Sequence, residues 1–345
     1  MKVIASGASG LARRTPLHTW TRSDAGTARL RRRLGRAPFV LAPCDTEWRR
    51  LAPGWDGCLA LARAGLPFHI VAGRRYDRAG DRRRLGAALA EGATVYLPQV
   101  HEALPRVARL MVAIRAGLLG AGREESSFLF VVDGRSREGM GLHHDGDASA
   151  FWIQLEGRRT VTIGPPVRPG TRQDLPDAML EHGPRWRTID LDPGTLFHLP
   201  PYTPHRVLCR GRSRALSLTW TRPRRRLTER ARLVSLAAWP VASGRATAVP
   251  PASRDRLWTQ VPGIVERGTL GVRLWTPSGR IDLPATARPL ANRLAEMPAL
   301  PRGVLRGRHS RAVSTLLEHG VLGARDLPAA IVPAHPAALE GWRFA

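Results

Sequence analysis

The spacing of apolar positions changes twice along this chain. Between residues 105 and 119 it is helical: Val107, Leu110, Met111, Ile114 and Leu118 fall on one face, Pro105 sits in the first turn, and Gly120 to Gly122 form the stop. Upstream the pattern is mixed. Phe68 to Val71 and Thr94 to Leu97 read as short strands, and Asp81 to Glu91 reads as a helix closed by Gly92. Downstream come seven short β-rich runs, at 127–132, 150–155, 159–163, 188–191, 195–199, 206–209 and 215–220. Turn signals such as Asp192-Pro193-Gly194 and Arg210-Gly211-Arg212 separate them. Short strands at this density predict a jelly-roll sandwich or barrel. The last third differs again: Leu227 to Trp239 reads as a helix, and 240–256 as a Pro-, Ser- and Ala-rich connection. A hairpin joins Val272–Trp275 to Arg280–Leu283, and two helices follow near Ala287–Met297 and Arg311–His319, the second with Ser310 as N-cap and Gly320 as stop.

Composition narrows the class. With 345 residues, 43% hydrophobic and 24% charged, the chain is neither disordered throughout nor collagen-like, and it is longer than one ordinary core fills. The formal charge is +26, which points toward nucleic acid or another acidic partner. Lys2 is the only lysine, however, so the arginine excess also has the look of a coding bias. Nine cations against the single Asp24 make residues 1–36 a basic, flexible tail. Cys44, Cys58 and Cys209 have neither metal nor disulfide-framework spacing, which suggests a reducing compartment. The apolar run Leu110–Leu119 is broken by Arg115 and is far shorter than the ~20 residues of a membrane span. Arg13-Arg14 is not followed by an apolar region. A soluble, cytoplasmic protein without a membrane partner is the expectation.

Candidate chemistry concentrates in Gly141-Leu142-His143-His144-Asp145-Gly146-Asp147. His143 and Asp145 are two apart, so on an extended segment both side chains point to one face and can hold one metal. Pro200-Pro201-Tyr202-Thr203-Pro204-His205 supplies a second histidine ahead of a β-rich run. Two histidines and a carboxylate form the facial set of non-haem Fe(II) oxygenases, which leaves positions open for cosubstrate and O2. The plainer reading is that His143 and His205 are ordinary strand-end histidines; His198 reads that way too.

The order His-x-Asp, then Phe151-Trp152-Ile153-Gln154-Leu155-Glu156-Gly157-Arg158-Arg159, then the Pro200–His205 segment and Ala215–Trp220, resembles the JmjC-type cupin oxygenases. Within that superfamily it is most similar to the ribosomal-protein hydroxylases, at motif level over about residues 94–220. The resemblance implies a mainly β fold with α elements: a double-stranded β-helix (cupin, jelly-roll) core, an N-terminal α/β surround and a C-terminal winged-helix-like module. The expected organisation is a tail over 1–36, an oxygenase domain over 37–222, a helical linker or dimerisation segment over 223–262 and the winged-helix-like domain over 263–345. The resemblance also implies Fe(II) on His143, Asp145 and His205, with 2-oxoglutarate and O2 as cosubstrates. It places the distal carboxylate of 2-oxoglutarate on Arg159, with Ser217 as a further cosubstrate contact. Arg158 and Arg159 could equally be two arginines among many. Gln154 lies eleven residues after His143, where the family has ten. This keeps His144 and Asp147 open as alternative ligands or as outer residues. The activity implied is oxidative decarboxylation of 2-oxoglutarate to succinate and CO2, coupled to hydroxylation of a protein or peptide side chain, with a ribosomal protein as the candidate substrate and a homodimer as the assembly. The alternative is a non-catalytic cupin module that contacts RNA, DNA or a protein through its basic surface and winged helix.

Overall fold

The computed structural model describes residues 16–63, 66–72, 75–77, 83–120, 123–137, 140–182, 185–222, 241–243, 256–259, 264–268, 271–276, 279–296, 299–301, 303, 307–323 and 330–332. The expected helix at 227–239, most of the 240–256 connection and the start of the basic tail lie outside the described residues.

A nine-stranded antiparallel sheet organises the first two thirds of the chain, with helices packed beside it. Its strands are β1 (Phe39–Leu41), β2 (His69–Ala72), β3 (Arg75–Asp77), β4 (Thr94–Pro98), β5 (Glu124–Arg137), β6 (Ser149–Ile163), β7 (Arg187–Leu191), β8 (Leu196–Leu199) and β9 (His205–Thr221). The order is β1-β8-β6-β9-β5-β4-β2-β3, with β7 paired to the far half of β6. Long β6 and β9 lie side by side at the centre, and β5 pairs with β9 along nearly its whole length. Among the described residues no pairing joins the two edges into a closed barrel.

Three expectations are corrected. The runs 150–155 and 159–163 are one strand, β6, and the runs 206–209 and 215–220 are one strand, β9. Gly157 and Gly211, the glycines between these runs, do not turn the chain out of the sheet; register instead shifts between Gln154 and Arg158 on β6. Gly157 and Gly211 both take positive φ, +69° and +75°, so the chain gains twist and an extra residue without leaving the sheet. Second, residues 18–21 and 24–33 of the expected flexible tail are helical. Ser23 caps the longer helix by accepting from the Gly26 N–H, and Leu17, Trp20 and Leu30 are buried in the main core. Trp20 also donates to the Gly194 carbonyl at 2.8 Å, which ties this segment to the β7–β8 turn. Third, Ser310 is the first residue of its helix rather than the cap; His309 holds the cap position and makes no side-chain capping bond.

The amphipathic helix forms at Pro105–Ile114, and its Val107, Leu110, Met111 and Ile114 are wholly buried in the main core. A π-turn over Arg115–Leu119 carries the chain on to Gly120, whose φ of +80° ends it. The helix expected at 81–91 is observed over Leu85–Ala90. In the last third, strands 264–267, 271–276 and 279–284 form a three-stranded sheet whose apolar face packs with helices 288–296 and 310–318 in a separate core cluster.

Candidate metal and cosubstrate site

The triad is assembled by backbone pairing. His143 lies in the loop before β6, and His205 is the first residue of β9. Each donates its N–H to the other's carbonyl, at 3.1 and 2.8 Å, so the two imidazoles are set side by side with ring centroids 4.2 Å apart. Asp145 returns toward them through a turn closed by Ala148 N–H to Asp145 O. Its carboxylate oxygens stand 3.6 Å from His143 Nε2 and 4.0 Å from His205 Nε2. One donor atom from each of the three lies within 4.8 Å of the others. Facial donors on an ion at about 2.1 Å stand about 3 Å apart, so a modest closing of the side chains completes the set.

The tautomers fit a metal. His143 Nδ1 lies 2.9 Å from the Gly141 carbonyl and His205 Nδ1 lies 3.1 Å from the Thr203 carbonyl. A carbonyl can only accept, so both Nδ1 atoms carry the proton and both Nε2 lone pairs face Asp145. Burial, with a further push from the His143 imidazole, lowers the His205 pKa to about 4, so the ring is neutral as a ligand must be.

His144 and Asp147 are not brought into this set. The His144 ring turns the other way, with Nε2 3.2 and 3.1 Å from the carbonyls of Thr171 and Arg172 and Nδ1 accepting from the Gly146 N–H. It anchors the 171–173 loop. Asp147 accepts the Arg222 N–H at 3.0 Å and lines the mouth of the cavity.

A cavity of about 520 Å³ opens over the triad between β4, β5, β6 and β9. Tyr96, Phe128, Phe130 and Trp152 supply apolar wall, and Arg159 and Ser217 both reach it. Trp152 packs edge-on against His205, with centroids 5.1 Å apart.

The bulge at Gly157 decides which arginine enters. In a regular strand alternate residues share a face, so Arg158 would follow Trp152 and Gln154 inward. The extra residue reverses that parity. Arg158 points out and bonds Asp192 at 2.8 Å, whereas Arg159 is 6% exposed and lines the cavity. Position 157 takes only glycine comfortably, because φ is positive and a Cβ would strike the Arg212 carbonyl.

Sequence reasoning missed the residue that holds Arg159. Ser213, wholly buried on β9, accepts from Arg159 Nε and from Gln154 Nε2, both at 3.0 Å. The aromatic wall was missed as well. Both depend on the register between β5, β6 and β9, which the bulges set.

No curated protein sequence matches the chain. Among solved structures, Escherichia coli ycfD is 17% identical with a TM-score of 0.46, over 86% of this chain and 97% of that one. A structure described as the ribosomal oxygenase YcfD from E. coli in complex with cobalt and 2-oxoglutarate is 15% identical with a TM-score of 0.43, over the same shares. A cupin superfamily protein from Desulfitobacterium hafniense is 15% identical with a TM-score of 0.21, over 28% of this chain and 68% of that one. The family model described as the JmjC domain matches residues 123–227. That span, which resembles the JmjC domain, contains His143, Asp145, Arg159, His205 and Ser217.

Proposed function

We propose that the protein is an Fe(II)- and 2-oxoglutarate-dependent hydroxylase acting on a protein or peptide side chain. The observation that carries this reading is the pairing of an assembled two-histidine, one-carboxylate set with a buried arginine that has no carboxylate partner among the described residues, in one cavity. A buried guanidinium without a counter-ion is costly, so the cavity is suited to an anionic ligand. Arg159 offers that ligand the rigid fork that grips a carboxylate on two points.

Bound by the triad, Fe(II) supplies the O2 activation that couples decarboxylation of 2-oxoglutarate to hydroxylation. The chain's own residues do the placing. His143 and His205 present neutral Nε2 donors fixed by backbone carbonyls, and Asp145 supplies negative charge. Arg159 holds the far carboxylate of the cosubstrate, and Ser217 lies on the same wall. Trp152 and the aromatic wall keep water from the buried end, which strengthens the arginine–carboxylate contact. A non-catalytic binding module gives no reason for this donor set to stand beside an unpaired buried cation.

The finer architecture belongs to the same proposal. The central strands are taken as a double-stranded β-helix, and residues 37–222 as the oxygenase domain, with the 16–36 segment packed onto it. Residues 223–262 are a linker or dimerisation segment, and 263–345 a winged-helix-like domain. Among the described residues no helix is long and apolar enough to cross a membrane. The motif order favours a ribosomal protein as substrate and a homodimer as the working form, and the cysteine usage favours a reducing, cytoplasmic setting. Mass spectrometry of proteins from cells with and without an active copy tests the activity. A one-oxygen mass gain on a discrete side chain, lost in His143→Ala, is expected; identical spectra would overturn it.

A further inference from the structure

The structure assigns Ser213 as the residue that aims Arg159, and through it as the determinant of cosubstrate affinity. The inference rests on the 2-oxoglutarate reading of the cavity and adds a residue to it.

Arg159 emerges from β6 just past the bulge, where its backbone pairs with Leu191 and Cys209, so the freedom left to it is that of its long side chain. Its guanidinium lies 5.7 Å from the centre of the Phe130 ring, a contact that sets a plane but permits rotation within it. The Nε–H is the donor nearest the strand. By donating it to Ser213 Oγ at 3.0 Å, Arg159 fixes the rotation, and its outer N–H pair is left for the cavity.

Ser213 is itself fixed. The two N–H groups of Gln154 Nε2 serve three acceptors, with one N–H shared: the same Ser213 oxygen at 3.0 Å and the carbonyls of Glu156 and Gly157 at 2.6 and 3.1 Å. The glutamine thus clamps the bulge and the serine together. A hydroxyl oxygen has two lone pairs, and both are used by these two donors. Alanine or cysteine in place of Ser213 removes a good acceptor with little change of volume, and the wholly buried site admits no water as substitute without disturbance. The arginine then stays in the cavity but loses its aim.

Anaerobic titration of the Fe(II)-loaded protein with 2-oxoglutarate tests this. Ser213→Ala and Ser213→Cys should each weaken 2-oxoglutarate binding about 10-fold with Fe(II) affinity unchanged, and Ser213→Thr, which keeps the hydroxyl, should restore most of it. The same Ser213→Ala change on an Arg159→Lys background should alter affinity less than about 2-fold, because lysine has no Nε–H of this kind. Unchanged affinity in Ser213→Ala would overturn the assignment. So would an equal loss on the lysine background, which would make Ser213 a packing residue only. If the wild type binds Fe(II) and no 2-oxoglutarate, the reading of the cavity falls and takes this inference with it. If the alanine variant does not fold, the threonine and cysteine pair decides: equal affinities overturn the proposal.

Discussion

Two arginines are buried in this molecule for opposite ends. Arg115, in the π-turn after the 105–114 helix, is fully enclosed and donates from Nη1 to both carboxylate oxygens of Glu125, each at 3.1 Å. Arg159 is nearly as enclosed, yet its surroundings are Ser213, Phe130 and a cavity. The first charge is closed within the protein. Even so, burial outweighs the attraction of Arg115 and holds the Glu125 carboxyl above the usual range. The second charge is left open. A cation whose burial is not compensated by a carboxylate among the described residues marks where a ligand completes the electrostatics, and a paired one marks only architecture.

The contrast can be broken in stages, from the largest effect on stability to the smallest. Glu125→Ala strands the Arg115 cation in the core and should cost about 3–5 kcal/mol in denaturant unfolding, whereas replacing both partners by apolar residues should recover most of that loss. Gly157→Ala forces a side chain into a left-handed position against the Arg212 carbonyl. It should cost about 2–3 kcal/mol and weaken 2-oxoglutarate binding by disturbing Arg159, read by melting and by titration on one sample.

A third buried group adds a pH dependence to this frame. Burial pushes His198, stacked on Phe39 and bonded to Ser149, down to about 3. Its folded pKa lies below the unfolded value near 6.5, so the unfolded chain binds the proton first. The stability it permits is fully present above about pH 6.5 and falls as pH drops toward 3, by about 2 kcal/mol at pH 5. Unfolding curves at pH 7.5 and 5 check this, and His198→Gln should flatten the slope. Arg159→Met should change stability least, by about 1 kcal/mol or less in either direction, because no carboxylate is stranded and the Ser213 hydroxyl keeps its bond from Gln154. The same variant should weaken 2-oxoglutarate binding about 100-fold.

Much of the site was legible in the sequence because ligand chemistry is carried by residue type and spacing. His143, Asp145 and His205 converge, although they lie in two separate segments. The helix at 105–114 was legible because its apolar period is unbroken. What escaped was register. A glycine between two β-rich runs looks the same whether the chain turns or bulges, and only strand pairing tells them apart. That ambiguity hid the continuity of β6 and β9, and with it the reason Arg159 rather than Arg158 faces the cavity. The helices at 18–21 and 24–33 were masked by their arginines. Their few apolar residues, Leu17, Trp20 and Leu30, find the core through long-range contacts such as Trp20 to Gly194, which local charge density does not reveal.

The central claim is that one cavity holds Fe(II) on His143, Asp145 and His205 and 2-oxoglutarate on Arg159. Anaerobic addition of Fe(II) and 2-oxoglutarate tests it directly, because chelation of the metal by the 2-oxoacid gives a visible charge-transfer band. The account predicts a band in the wild type that is abolished in His205→Ala, and that in Arg159→Met requires far higher 2-oxoglutarate. No band in the wild type, or an undiminished band in His205→Ala, would contradict it.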